Sequence, residues 1–550
     1  MADATAIPAV TSTGQPILIL KEGTTEKRGK EAQRNNFEAV KIVKDIVKTS
    51  LGPKGMDKML VDSLGDVTVT NDGATILKEM DIQHPAAKMM VEIAKATDNE
   101  VGDGTTSTVV LAGYLIEKAE ELIDKGVHPT IIIDGYMKAS QEALKILKNI
   151  AEKVNPDDKE ILKKIAKTTL STKMVSSEAE YLADLVVNAV LQVADKVNGG
   201  YKVDIENVKV EKKPGASITN TQLIKGVVID KEVVHASMPK SVKNAKIALL
   251  NAPLEIEKTE IDAKINITDP EQMKAFLDEE TKILKQMVEK IKSVGANVVL
   301  CQKGIDDMAQ HYLAKEGILA VRRIKMSDMD KLSRATGGRI VTNIDDLSSE
   351  DLGYAELVEE RKIEEDKWVF VEGCKNPKAV SILIRGGAQR VVDEAERSIH
   401  DALMTVKDVL ERPLIVAGGG AAEIEVATQL RKWAQTLEGR VQLAALAFTE
   451  ALENLALTLA ENAGLEPLDI LPELQAAHQK GDKWAGINVL KGKVENMMQN
   501  NVIEPEIVKE QVIKAATEAA SMIIKIDDLI AASKLPEKEK EKETSKSSSE

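Results

Sequence analysis

The chain has 550 residues, 43% of them hydrophobic, which is ample for cores but too much for one; at roughly 150 residues per domain it divides into about three or four. A net charge of -15, from 74 basic and 89 acidic residues with no basic stripe, sets it against nucleic acid, and 4 Phe, 6 Tyr and 3 Trp leave no stacking platform for single strands or sugars. Cys301 and Cys374 exclude a disulfide framework or a four-thiolate zinc site, and 6 His without an H-E-x-x-H pattern argue against a metalloprotease.

Residues 1–15 lack the basic start and apolar run of a signal peptide, and no window approaches the ~20 apolar residues of a membrane span. With two cysteines and no membrane partner, a cytoplasmic protein in a reducing compartment is expected. The charged fraction of 30%, mixed in sign, fits both the ion-pair-rich proteins of thermophiles and ordinary solvated helix faces.

The first 150 residues read as mostly helical. Phe37, Val40, Val43 and Val47 recur at helical spacing over 35–51, which Gly52-Pro53 should end. Helices are expected over 85–96 and 105–125, with a β-branched run, Val67 to Thr70, ending in an Asn71-Asp72-Gly73 turn signal. Further helices over 158–168 and 178–197 precede strands over 203–212 and 222–230. From 245 to 370 short apolar strands (247–250, 297–301, 319–324, 367–371) alternate with helices, an α/β signature. A strand at 380–384 leads into a helix over 389–410, and 413–532 is again almost wholly helical. Residues 534–550 are nearly all Lys, Glu and Ser, and are expected to be disordered. A helical start, a mixed middle and a helical end suggest a nested plan in which the outer thirds pack together around an insertion.

Four motifs could carry chemistry. Gly102-Asp103-Gly104-Thr105-Thr106-Ser107 stands directly before an apolar-periodic helix, where glycines let a ligand approach and free amides favour an anion. Asp103 beside such a phosphate nest makes sense if Mg2+ lies between them; the bland alternative is a helix cap. Leu51-Gly52-Pro53-Lys54-Gly55 is, by itself, a helix stop and turn. Ala417-Gly418-Gly419-Gly420-Ala421, between a strand-like run and a helix, could face an adenine or a ribose, or be a linker. Asp72 lies in the Asn-Asp-Gly turn, and Asp401 sits inside a helix where Asp has poor propensity and should have a reason. Neither a Walker A loop nor a GxGxxG pattern is present.

These motifs in this order, Leu51 to Lys58, Thr70 to Thr75, Gly102 to Ser107 and Gly418 to Gly420, resemble group II chaperonin subunits, most closely those of the archaeal thermosome, over almost the whole chain. The resemblance implies a multi-domain fold: a mainly α-helical equatorial ATPase domain (1–156 and 411–533), a small α+β intermediate hinge domain (157–225 and 379–410) and an α/β apical domain (226–378) with a helical protrusion at about 252–285. It implies that Ser50, Leu51, Gly52, Pro53, Gly104, Thr105, Thr106 and Ser107 cradle the phosphates of ATP and that Asp103 holds Mg2+, with K+ left open. It further implies that Asp401, helped by Asp72, orients the attacking water, and that Lys173 senses the terminal phosphate. Gly419 and Gly486 would line the nucleoside and Glu504 the ribose, where relatives often carry Asp.

The implied function is an ATP-hydrolysing chaperone in which like or paralogous subunits form a double ring, enclose unfolded polypeptides and close with a built-in lid. On the protrusion, Asp269-Pro270 should open a helix whose second half, from Leu284, reads as core, while Met273, Phe276 and Leu277 are candidates for client contact. Two other readings stand beside it: a small-molecule phosphotransferase built on the same glycine loops, and a filament-forming structural ring protein.

Overall fold

A computed structural model describes residues 8–10, 16–18, 25–197, 200–256, 270–374 and 377–531. The charged tail 534–550, the alternating stretch containing Ile261, Ile265 and Ile267, and the side chain of Met273 lie outside the described residues.

Fifteen α-helices are present among the described residues. The first five are α1 (Gly29–Lys48), α2 (Gly73–Glu79), α3 (Pro85–Val101), α4 (Thr105–Asp124) and α5 (Pro129–Ile150). After α6 (Lys159–Leu170) and α7 (Ala179–Val193) come α8 (Pro270–Ser293), α9 (Asp307–Lys315) and α10 (Met326–Thr336). The chain then forms α11 (Gln389–Glu411), α12 (Ala421–Ala434), α13 (Gly439–Asn462), α14 (Pro467–Gln479) and α15 (Glu506–Ile524).

Three large apolar cores organise these elements. One joins chain ends far apart in sequence, placing Phe37, Leu111 and Tyr136 with Phe448, Val512 and Ala516. Here the Tyr136 and Phe448 rings meet edge to face at 5.8 Å, and the buried Tyr136 hydroxyl donates to the Leu115 carbonyl at 2.8 Å, which removes the penalty of burying it unpaired. A second core takes α6 and α7 from one side of the insertion and strand Val380–Gly386 and α11 from the other. The third lies within 227–379, around a seven-stranded sheet.

In that sheet, strands Ser241–Leu250, Val298–Cys301 and Leu319–Val321 run parallel, linked by α8 and α9 as crossovers. The last two strands are buried throughout, which is why they read as unbroken apolar runs. Strands Gly353–Ile363 and Asp366–Glu372 extend the sheet as an antiparallel hairpin. The insertion leaves and re-enters the first core through adjacent strands, Glu152–Lys153 beside Leu414–Ala417.

Four local expectations change. The first helix ends at Lys48, three residues short of Leu51, because Asn462 reaches over to accept the role of cap: its amide nitrogen donates to the Lys48 and Leu51 carbonyls at 2.8 and 2.9 Å. Asn71-Asp72-Gly73 is not the hairpin turn, since strands Lys58–Val61 and Val67–Thr70 are joined through Asp62, whose carboxylate accepts from the Leu64 and Asp66 amides. Instead Asp72 caps α2, accepting from Thr75 N at 2.8 Å. The helix expected over 178–197 stops at Val193, and Asp195–Val197 pairs as a strand with Gly200–Lys202. Finally, α13 is long and apolar enough to cross a membrane, contrary to the window reading, but it is mostly buried against α4, α5 and α12 and is a core helix.

Candidate functional site

A cavity of about 680 Å³, within the roughly 300–1,000 Å³ of ligand pockets, opens between the first and second cores. Of the residues singled out in the sequence, Ser50, Leu51, Gly52, Pro53, Asp103, Gly104, Thr105, Thr106, Ser107, Lys173, Gly419 and Glu504 line it. Asp72 and Asp401 stand behind Lys173, and Gly486 stands behind Gly419. Met273, Phe276 and Leu277 belong to α8; Phe276 and Leu277 are exposed and are not among the cavity walls.

One wall is an anion cradle. Gly102 ends α3 at φ +68°, and Gly104 caps α4 at φ +79° without a side-chain acceptor, so no cap competes for the first-turn amides of α4. Glycine is required at 104 for space as well, because a Cβ there would stand 2.9 Å from Val512 Cγ2 of α15. The Asp72-Gly73 turn is pressed on the same helix end: a Cβ on Gly73 would lie 2.6 Å from Thr106 Oγ1. Gly52, at φ +81°, completes the cradle from beneath Leu459 of α13.

The donor set fits a magnesium nucleotide. Asp103 supplies one hard carboxylate beside the amides; among the described residues no cluster of three or more His, Cys, Asp or Glu could cage a metal alone. Mg2+ takes one or two carboxylates and fills its remaining positions from phosphates and water, so one carboxylate at a phosphate nest matches. Asn71 Oδ1, on another lining residue, is buried without a hydrogen-bond partner and leaves an acceptor for a bound group.

Behind this wall lies a charged cluster. Lys173 Nζ is 2.8 Å from Asp401 Oδ2 and 3.9 Å from Asp72 Oδ1. Asp72 also accepts from Thr105 Oγ1 at 3.1 Å, and the Asn71 amide donates to the Thr172 carbonyl at 2.6 Å, so the α2 turn, the α4 terminus and the loop after α6 are tied together. Burial works against the Lys173 charge, but Asp401, Asp72 and Asp103 hold the ammonium well above its ordinary range. For Asp72, burial is outweighed by Lys173 and by hydrogen bonds from Thr75 and Thr105, and its carboxyl is held below normal. At Asp401 burial wins: with Asp72 and Asp103 nearby, its carboxyl is pushed far up, and Lys173 offsets only part. The poor helix propensity of Asp401 has its reason in this pair.

The other wall is built by Gly418 to Gly420 and strand Ala485–Asn488. Ile487 N donates to the Gly419 carbonyl at 2.8 Å, and a Cβ on Gly486 would lie 2.7 Å from Met497 Cγ and 2.9 Å from the Gly419 oxygen, so glycine allows this approach. Sequence reasoning missed Lys509, which spans Glu504 at 2.6 Å and Glu423 at 2.8 Å. A signal existed: Lys509 stands near the first turn of α15, where the helix dipole opposes a cation unless carboxylates hold it. Burial is the main cause that raises Glu504, against the pull of Lys509. Glu423 and Asn488, also lining the cavity, had no local pattern to mark them.

The TCP-1/cpn60 chaperonin family model matches residues 43–534. The chain is 61% identical over 530 residues to a thermosome subunit of Pyrococcus horikoshii, covering 96% of each. It is 59% identical to thermosome subunit beta of Sulfurisphaera tokodaii, covering 97% of each, and 58% identical to thermosome subunit alpha of Archaeoglobus fulgidus, covering 96% of this chain and 97% of that one. The chain therefore belongs to the TCP-1/cpn60 chaperonin family, as an ATP-dependent, ATP-hydrolysing subunit of the group II kind.

Proposed function

We propose that ATP lies with its phosphates on the α4 cradle and its nucleoside against Gly419 and Gly486, and that hydrolysis is the event that closes a double ring of such subunits around an unfolded polypeptide. The observation that carries this is the Lys173 cluster: Asp401, on a helix of the second core, reaches the helix end of the first core through one ammonium. Residues 1–156 and 411–533 would act as the equatorial body, 157–225 and 379–410 as the hinge and 226–378 as the client-facing part; separate apolar cores support the division.

Asp103 would hold Mg2+, which would supply neutralisation of the phosphate charge. The amides of Thr105 to Ser107 hold the phosphate chain, and Ser50 to Pro53 close it from the other side. Asp401, with its raised proton affinity, orients the attacking water and draws on its proton; Asp72, kept ionised, fixes Thr105 and Lys173. Because Lys173 occupies Asp401 here, transfer of the ammonium to the terminal phosphate frees the carboxylate for water, making turnover depend on both cores meeting. Phe276 and Leu277, exposed on α8, suit apolar segments of a client, and the double ring would need no separate lid.

Asp401→Ala tests the assignment. Turnover is expected to fall on the order of 10²–10⁴-fold while ATP affinity stays within a few fold. Unchanged turnover removes Asp401 from the reaction, and a solitary polypeptide on a sizing column removes the ring.

A further inference from the structure

His478 of α14 is wholly buried, and both its ring nitrogens face acceptors. Nε2 is 2.8 Å from the Ala485 carbonyl oxygen, which only accepts, so Nε2 carries a proton. Nδ1 is 2.6 Å from Glu425 Oε2, and that contact also needs a proton. Burial would raise the Glu425 carboxyl, but hydrogen bonds from His478 and Gln429, with the charges of His478 and Lys432, bring it below normal. The Glu425 carboxylate is thus held ionised, and the ring bridges it to the Ala485 carbonyl through its two nitrogens.

What the ring ties together is the glycine wall. Glu425 lies one turn into α12, the helix that starts straight after Gly418 to Gly420. Ala485 opens the strand that carries Gly486 and hydrogen bonds through Ile487 N to the Gly419 oxygen. His478 lines no part of the cavity; it stands behind the wall and joins the two elements that form it.

We propose that His478, paired with Glu425, is a positioning residue that fixes α12 against strand Ala485–Asn488 and thereby sets the nucleoside-facing gap between Gly419 and Gly486. The proposal rests on the reading of those glycines as the nucleoside wall. It separates recognition of the nucleoside from recognition of the phosphates, which are held elsewhere on α4.

The test uses the assembled full-length protein and its steady-state ATPase, with tripolyphosphate as a competitor that carries phosphates but no nucleoside. His478→Gln is expected to raise the KM for ATP about tenfold with kcat within about twofold, and to leave the inhibition constant of tripolyphosphate unchanged. Glu425→Gln, which keeps the volume and most contacts, should do the same, and the double variant should be no worse than either single change. If His478→Gln does not fold, Glu425→Gln alone decides. An unchanged KM, or a tripolyphosphate constant that weakens in step with ATP, overturns the proposal. Gly486→Val serves as the control for the underlying reading. A raised KM there with a normal one in His478→Gln refutes only the positioning role, whereas a normal KM in Gly486→Val refutes the nucleoside wall itself.

Discussion

Two buried lysines, each between two carboxylates, stand around the same cavity. Lys173 joins Asp401 and Asp72; Lys509 joins Glu423 and Glu504. Both ammonium groups are held above their ordinary range by their partners against the effect of burial. Their supports differ. Lys509 and Glu423 stand on α15 and α12 of the first core, with Glu504 on strand Ile503–Pro505 at its border with the second, whereas Lys173 and Asp401 both belong to the second core and meet Asp72, on the α2 turn of the first, across 3.9 Å. Equal chemistry on unequal supports gives a static tie in one place and a separable one in the other. Buried ion pairs contribute little net stability but are costly to break one-sidedly, so such a pair across two cores is suited to switching.

Substituting each lysine by Met is the strongest way to break this comparison. Lys173→Met leaves two carboxylates buried side by side, so it should abolish most turnover and cost about 3–5 kcal/mol in whatever state buries them. Lys509→Met should destabilise by a similar amount yet act chiefly on the KM for ATP. Matching kinetic signatures in the two variants, read from steady-state ATPase and thermal unfolding, would erase the distinction.

A smaller effect is expected from Gly73→Ala. Its new methyl would press on Thr106 Oγ1 and the Thr106 amide, forcing the cradle apart by about 1–3 kcal/mol and weakening ATP binding measured by calorimetry. Normal affinity would show that the turn yields without moving α4.

The smallest effect sharpens the picture through pH. Asp408, seven residues beyond Asp401 on α11, is buried with Oδ2 unpaired; burial, then Glu411, Glu100 and Asp103 against Lys407 alone, pushes its carboxyl up to about 8. An unfolded Asp titrates near ~4, so the folded state binds the extra proton between these values, and stability falls as pH rises from there toward 8. Asp408→Asn should therefore melt higher than the parent at pH 8–9, with the gap closing toward pH 4. A gap independent of pH would remove the titration from Asp408.

Local rules in the sequence reached the elements whose causes are local. Gly102 and Gly104 mark the α3 and α4 junction because chain reversal there needs positive φ, and the buried strands Val298–Cys301 and Leu319–Val321 announce themselves by composition. What stayed hidden depends on partners far along the chain. Asn462 trimming the first helix, Lys509 between two glutamates and His478 behind the glycine wall are each fixed by residues brought close only by folding. The motif set carried the family because four weak signals kept their order, not because any one of them was diagnostic.

The side-by-side strands Glu152–Lys153 and Leu414–Ala417 give the long insertion a single doorway. Everything between them is a cassette on a two-stranded stem: exit and return lie one strand spacing apart, about 5 Å, which a short glycine linker can bridge. Lineages can thus lengthen, shorten or exchange what hangs from that stem while the helical body beneath keeps its packing.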